Sequence, residues 1–107
     1  MERYDIAIIG TGPGGVSAAI TAKVRGKNLI LFGSRHLSEK LEKAHSILNY
    51  PGLPNVSGQE LARAFREQLD SLEILITEKQ VTAVYAMGDY FALQTPEELV
   101  EARTVIL

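Results

Sequence analysis

The chain has 107 residues, enough for one domain, with 46% hydrophobic and 22% charged residues; that is the balance of an ordinary globular protein rather than a disordered or fibrous one. A net charge of −2 gives no reason to expect nucleic acid or an anionic membrane surface as a partner. The absence of cysteine excludes disulfides, thiolate metal sites and a redox-active Cys pair within this chain.

The chain opens Met-Glu-Arg-Tyr, which lacks the layout of a signal peptide, and no apolar run reaches the length of a membrane span. A cytoplasmic setting is the expectation. Tyr4 to Ile9 is a short, β-branched apolar run, as in a buried parallel strand. Gly10-Thr11-Gly12-Pro13-Gly14-Gly15 follows, and fits G-x-G-x-x-G. Val16, Ala18, Ala19, Ile20, Ala22 and Val24 then recur at helical spacing, predicting a helix over about 13–25. A glycine turn between strand and helix is the context in which this motif binds a dinucleotide. Gly10 permits the tight turn, Gly12 lets a pyrophosphate approach the backbone, and Gly15 lets helix and strand pack closely. The anion would sit at the helix N-terminus, on free N–H groups and the positive dipole end. Pro13 suits the first helical turn, where its missing N–H has no intrahelical partner anyway.

Gly26 marks the end of that helix, and Asn28 to Phe32 predicts the second strand of a right-handed βαβ unit. The fingerprint expects an acidic residue there to hold a ribose hydroxyl. The strand ends instead in Gly33-Ser34-Arg35-His36, and the next carboxylate is Glu39. Ser34 could bond a ribose and Arg35 could meet a phosphate. His36 and His45 lack the spacing of a metal pair and read as surface or loop residues. Ser34 to Ser46 alternates charges and reads as a solvated loop or a helical turn.

Ile47-Leu48-Asn49-Tyr50-Pro51-Gly52-Leu53-Pro54 predicts a rigid, extended turn that packs on something, being too apolar for a free linker. Ser57-Gly58-Gln59-Glu60 fits a capping box, and Leu61, Phe65, Leu69 and Leu72 give the following helix an apolar face. Residues 73–77 predict a short strand, 81–86 and 90–94 a hairpin turning at Met87-Gly88-Asp89, 99–102 a further strand, and 104–107 an apolar strand. Glu73 and Asp89 read as surface residues. The expected architecture is α/β: a parallel sheet of the strands near 4–9, 28–32, 73–77 and 104–107, with the strands over 81–102 in a separate antiparallel layer.

These residues together resemble the N-terminal FAD-binding segment of low-molecular-weight thioredoxin reductases and related flavin disulfide reductases. The resemblance covers the whole chain. It rests on Tyr4–Gly15, on Ala18-Ala19-Ile20, on Asn49-Tyr50-Pro51-Gly52 followed by Ser57-Gly58 and its helix, on the hairpin, and on Ala102–Leu107. It implies a Rossmann-like, three-layer FAD-binding fold with a small antiparallel crossover sheet, of which residues 1–107 would be the N-terminal part. It implies FAD as cofactor, with Gly10, Thr11, Gly12, Pro13, Gly14 and Gly15 at the pyrophosphate and Gly33 and Ser34 at the adenosine ribose. Asn49 would lie near the flavin, and Val81 would give backbone hydrogen bonds to adenine.

Where the family has Gly-Gly-Gln-Leu, this chain has Ser38-Glu39-Lys40-Leu41, so Lys40 and Leu41 would take the flavin-loop positions. That departure is similar to the ferredoxin-linked flavin thioredoxin reductases, which have lost ordinary NADPH dependence. Implied partners of the complete enzyme are thioredoxin or a similar disulfide protein, with ferredoxin, NADPH or another donor, in a homodimer. The Cys-x-x-C pair and the pyridine-nucleotide-like domain have no counterpart in these residues, and the chain is expected to be one part of such an enzyme. A second reading stays open on the residues alone: a stand-alone nucleotide-binding module without redox activity.

Overall fold

The computed structural model describes residues 3–35, 46–48, 50–53 and 55–107. Strand β1 is Arg3–Ile9, helix α1 Pro13–Val24 and strand β2 Leu29–Phe32. Helix α2 is Gly58–Ser71, followed by β3 (Ile76–Thr77), β4 (Ala83–Ala86), β5 (Phe91–Gln94) and β6 (Leu99–Ile106). They build one six-stranded sheet in the order β3-β2-β1-β6-β5-β4. The first four of these are mutually parallel, and β6-β5-β4 continue antiparallel.

Alternation along the strands divides the core in two. Ile8 and Leu31 face the helices and cluster with Val16, Ala19, Leu61, Phe65 and Leu69. Ala7 and Phe32 face the other way and cluster with Leu93, Val100 and Ala102 of the antiparallel strands. The helical side is therefore built from two unlike surfaces. α1 approaches on small residues, Val16, Ala19 and Ala22, so its backbone sits close to the sheet. α2 contributes the bulk, with Leu61, Ala62, Phe65 and Leu69 buried at helical spacing. Burying one such leucine or phenylalanine stabilises by about 1.5–3 kcal/mol.

The extended turn before α2 does pack on the core. Ile47 bridges Val56 and Tyr50 bridges Leu53 in antiparallel fashion. Ile47, Tyr50 and Val56 lie against the helical cluster, and the Tyr50 ring meets Phe65 at 5.8 Å between centroids, within the range of an attractive aromatic pair. Two exposed ion pairs tie distant segments: Arg3 to Glu101 at 3.2 Å and Lys79 to Glu98 at 2.9 Å. The hydrogen bond and charge of Glu98 hold the Lys79 ammonium above the ordinary lysine range.

Three details differ from expectation. The strands expected at 99–102 and 104–107 are one strand, β6, because no Gly or Pro breaks 99–106 and its ladders with β5 and β1 overlap at Glu101 and Ala102. The antiparallel strands are consequently not a separate sheet. β6 pairs with β5 over residues 99–102 and with β1 over 101–106, so it carries one ladder into the other. The strand expected from residue 73 begins later. Leu72 caps α2, and Glu73 adopts a left-handed conformation at φ 58°, which turns the chain before β3.

The α2 cap suggests a stability test. Ser57 accepts a hydrogen bond from the Glu60 N–H at 3.1 Å, satisfying a first-turn donor. Ser57→Ala is expected to lower unfolding free energy by about 1 kcal/mol, read by urea denaturation, with no change in the slope.

Candidate dinucleotide site

The carboxyl ends of β1, β2 and β3 meet at one edge of the sheet, where open α/β sheets bind ligands. The β1–α1 turn forms the centre. Gly10 holds φ at +119°, a conformation that side chains rarely adopt, and its N–H donates to the Phe32 carbonyl at 2.8 Å. Gly12 is the N-cap of α1 and Pro13 its first residue. The first intrahelical bond runs from Val16 N–H to Gly12 carbonyl at 3.0 Å. The N–H groups of Gly14 and Gly15 thus have no carbonyl partner inside the helix and point out of its N-terminus.

The glycines separate into two kinds. A β-carbon on Gly15 would collide with the Gly10 carbonyl, and one on Gly33 with the Thr11 side chain. These two glycines are demanded by the fold itself. A β-carbon on Gly12 or Gly14 would meet no protein atom within 4 Å. At those two positions the fold leaves the space clear beside the helix N-terminus. That is the shape a diphosphate requires: backbone donors at an accessible surface, with no side chain in the approach. The residues present therefore fit a dinucleotide pyrophosphate.

Thr11 is buried and its hydroxyl donates to the Ser34 carbonyl at 3.1 Å, which locks the glycine turn to the loop after β2. Gly33 N–H in turn donates to the Thr77 carbonyl at 3.2 Å, locking that loop to β3. So Gly10, Thr11, Gly12, Pro13, Gly14, Gly15, Gly33 and Ser34 form one contiguous edge. Val81 lies beyond β3, packed against the cluster that contains Phe32. The next residue, Thr82, donates its N–H to the Gln94 carbonyl at 2.8 Å. Lys40, Leu41 and Asn49 lie outside the described residues, as do His36 and His45. Among the described residues no group of His, Asp and Glu could hold a metal ion, and no helix is long and apolar enough to cross a membrane.

One acidic residue reaches this edge that strand-by-strand reading did not nominate. Glu78, the first residue after β3, accepts the Arg35 backbone N–H at 3.3 Å and pairs with its guanidinium at 3.0 Å. Its carboxylate stands at the end of β2, where the fingerprint lacks one. The signal was available: residues 73–77 read as a parallel strand, and the residue after such a strand sits at the ligand edge.

A family model described as pyridine nucleotide-disulphide oxidoreductase matches residues 4–107. Among curated proteins, a thioredoxin reductase of Ureaplasma parvum is 30% identical over 99% of this chain and 34% of its own length. A ferredoxin--NADP reductase of Levilactobacillus brevis is 35% identical over 99% of this chain and 34% of its own length. Among solved structures, a ferredoxin-flavin thioredoxin reductase of Clostridium acetobutylicum superposes with a TM-score of 0.94 at 53% identity, covering 98% of this chain and 37% of that one. The thioredoxin reductase of Lactococcus lactis superposes with a TM-score of 0.87 at 27% identity, over 96% of this chain and 34% of that one. The chain thus spans about a third of the length of the curated relatives it matches.

The two kinds of glycine predict opposite outcomes for stability. Gly15→Ala forces backbone apart and is expected to cost about 3 kcal/mol. Gly12→Val, with open space around its side chain, is expected to stay within about 1 kcal/mol of the parent. Thermal unfolding of the two variants side by side checks this.

Proposed function

The chain belongs to the pyridine nucleotide-disulphide oxidoreductase family, and we propose that it is the N-terminal FAD-binding portion of a thioredoxin reductase-like flavoprotein. The observation that carries the reading is the pair of glycines at 12 and 14, which leave open space around backbone donors at the α1 N-terminus. FAD is the dinucleotide that the resemblance selects. When bound, it supplies the electron carrier between a donor and a protein disulfide, while the protein positions it.

The chain's own residues bind and orient. Gly14 and Gly15 present N–H groups to the pyrophosphate, and Gly12 and Gly14 leave clear space for it. Thr11 braces that turn against Ser34, which keeps the ribose end of the site in register with the phosphate end. Gly33 and Ser34 face the adenosine ribose, and Val81 the adenine. Asn49, Lys40 and Leu41 are assigned to the flavin end on the resemblance alone. No residue of this chain serves as the dithiol, since it has no cysteine; thiolate exchange is the work of other protein segments.

The donor proposed is ferredoxin, and the acceptor thioredoxin or a similar disulfide protein. Support comes from the 53% identity to the Clostridium acetobutylicum enzyme and from Ser38-Glu39-Lys40-Leu41 at the family's Gly-Gly-Gln-Leu position. A homodimer and a cytoplasmic setting belong to the same proposal.

Two measurements test it. Titration with FAD, followed by flavin fluorescence, is expected to show Gly12→Val binding about tenfold to a hundredfold more weakly than the parent, since charge-assisted phosphate bonds are lost. Unchanged affinity would refute the placement. The 107-residue chain, given reduced ferredoxin or NADPH and oxidised thioredoxin, is expected to show no turnover; sustained turnover would overturn the division of labour.

A further inference from the structure

We infer that Glu78 supplies the carboxylate that holds the adenosine ribose, delivered from β3 instead of β2. The inference rests on the FAD reading above and deepens it. A dinucleotide site of this type needs an acceptor for the ribose hydroxyls at the end of the second strand. Here that strand runs out into Gly33-Ser34-Arg35 without an acid.

The structure fills the gap from the neighbouring strand. β3 pairs with β2 through Leu31–Ile76 and Phe32–Thr77, so the residue after Thr77 stands beside the residues after Phe32. Glu78 is that residue. One carboxylate oxygen accepts the Arg35 N–H at 3.3 Å, and the other meets Arg35 Nε at 3.0 Å. Each carboxylate oxygen offers two lone pairs, so both oxygens keep acceptor capacity for a diol. The two contacts also fix the carboxylate's orientation, which an exposed glutamate otherwise lacks.

An ordinary surface ion pair is the competing account, and such pairs contribute little to stability. Position argues for more. The pair is anchored to the same loop that Thr11 locks to the glycine turn, so its carboxylate keeps a set relation to the pyrophosphate cradle. Glu78 also lies three residues before Val81, the residue assigned to adenine. Ribose and adenine are joined by a single glycosidic bond, and one short segment, 78–81, would line both. Arg35, fastened by Glu78, keeps a largely exposed guanidinium beside the site.

The test uses the protein carrying this chain, stripped of flavin, and compares ADP with 2′-deoxy-ADP by calorimetric titration of the apoprotein, with FAD titrated alongside. The parent is expected to favour ADP about tenfold or more, the worth of a hydrogen bond to a charged group. Glu78→Ala is expected to erase that preference while still binding FAD and 2′-deoxy-ADP. Arg35→Ala removes the guanidinium contact but keeps the backbone N–H that Glu78 accepts, and is expected to keep most of that preference. Both side chains are exposed, so neither substitution threatens the fold. A preference that survives in Glu78→Ala, or that falls equally in Arg35→Ala, would overturn the inference while leaving FAD binding intact. A parent that bound neither FAD nor ADP would instead overturn the FAD reading, and this inference with it.

Discussion

The contact between Gly15 and the carbonyl of Gly10 is the constraint on which the rest of this structure depends. The helix leaves the strand so abruptly that no β-carbon fits between them. That closeness places the α1 N-terminus over the end of β1. It also sets how near α1 lies to the sheet, and the buried residues of α1 are no larger than Val16, Ala19 and Ala22. A wider turn would move the donors away from the sheet edge and leave a gap that alanines could not fill. Packing and anion binding are two consequences of one close approach.

From that turn, order spreads along the carboxyl edge by short polar links. Thr11 reaches Ser34, Gly33 reaches Thr77, and Glu78 returns to Arg35. Each link joins one strand end to another, so polar contacts run along the edge across β1, β2 and β3. They connect the glycine turn to the loops after β2 and β3. The opposite face is braced differently. There Phe32 and Ala7 are covered by the antiparallel strands, and β6 bonds to both ladders. A single long strand thus carries the crossover and completes the parallel sheet beside β1.

Much of this was legible in the residues. The short, near-continuous apolar runs marked β1 and β2, and the glycine spacing with Pro13 marked the turn. Ser57 and Glu60 marked the start of α2. These signals are local: backbone conformation, capping and periodicity depend on neighbours within a few positions. Two boundaries were read less well for the same reason. Nothing local at Arg103 says whether a strand pauses there, and nothing at Glu73 announces a left-handed turn in a residue other than glycine.

By itself the sequence determined the strand–turn–helix unit, the parallel pairing of β1 and β2 and that none of these 107 residues is a thiol, because each follows from residue type and short-range spacing. Only the tertiary structure decided which glycines serve packing and which leave space for a ligand, since that depends on what lies across the turn from each. It likewise decided that β6 joins the two ladders, and that a carboxylate from the end of β3 stands at the end of β2. Strand order brings Phe32 and Thr77 side by side, 45 positions apart in the chain; no pattern within either segment records that meeting, because hydrogen bonding between strands sets it.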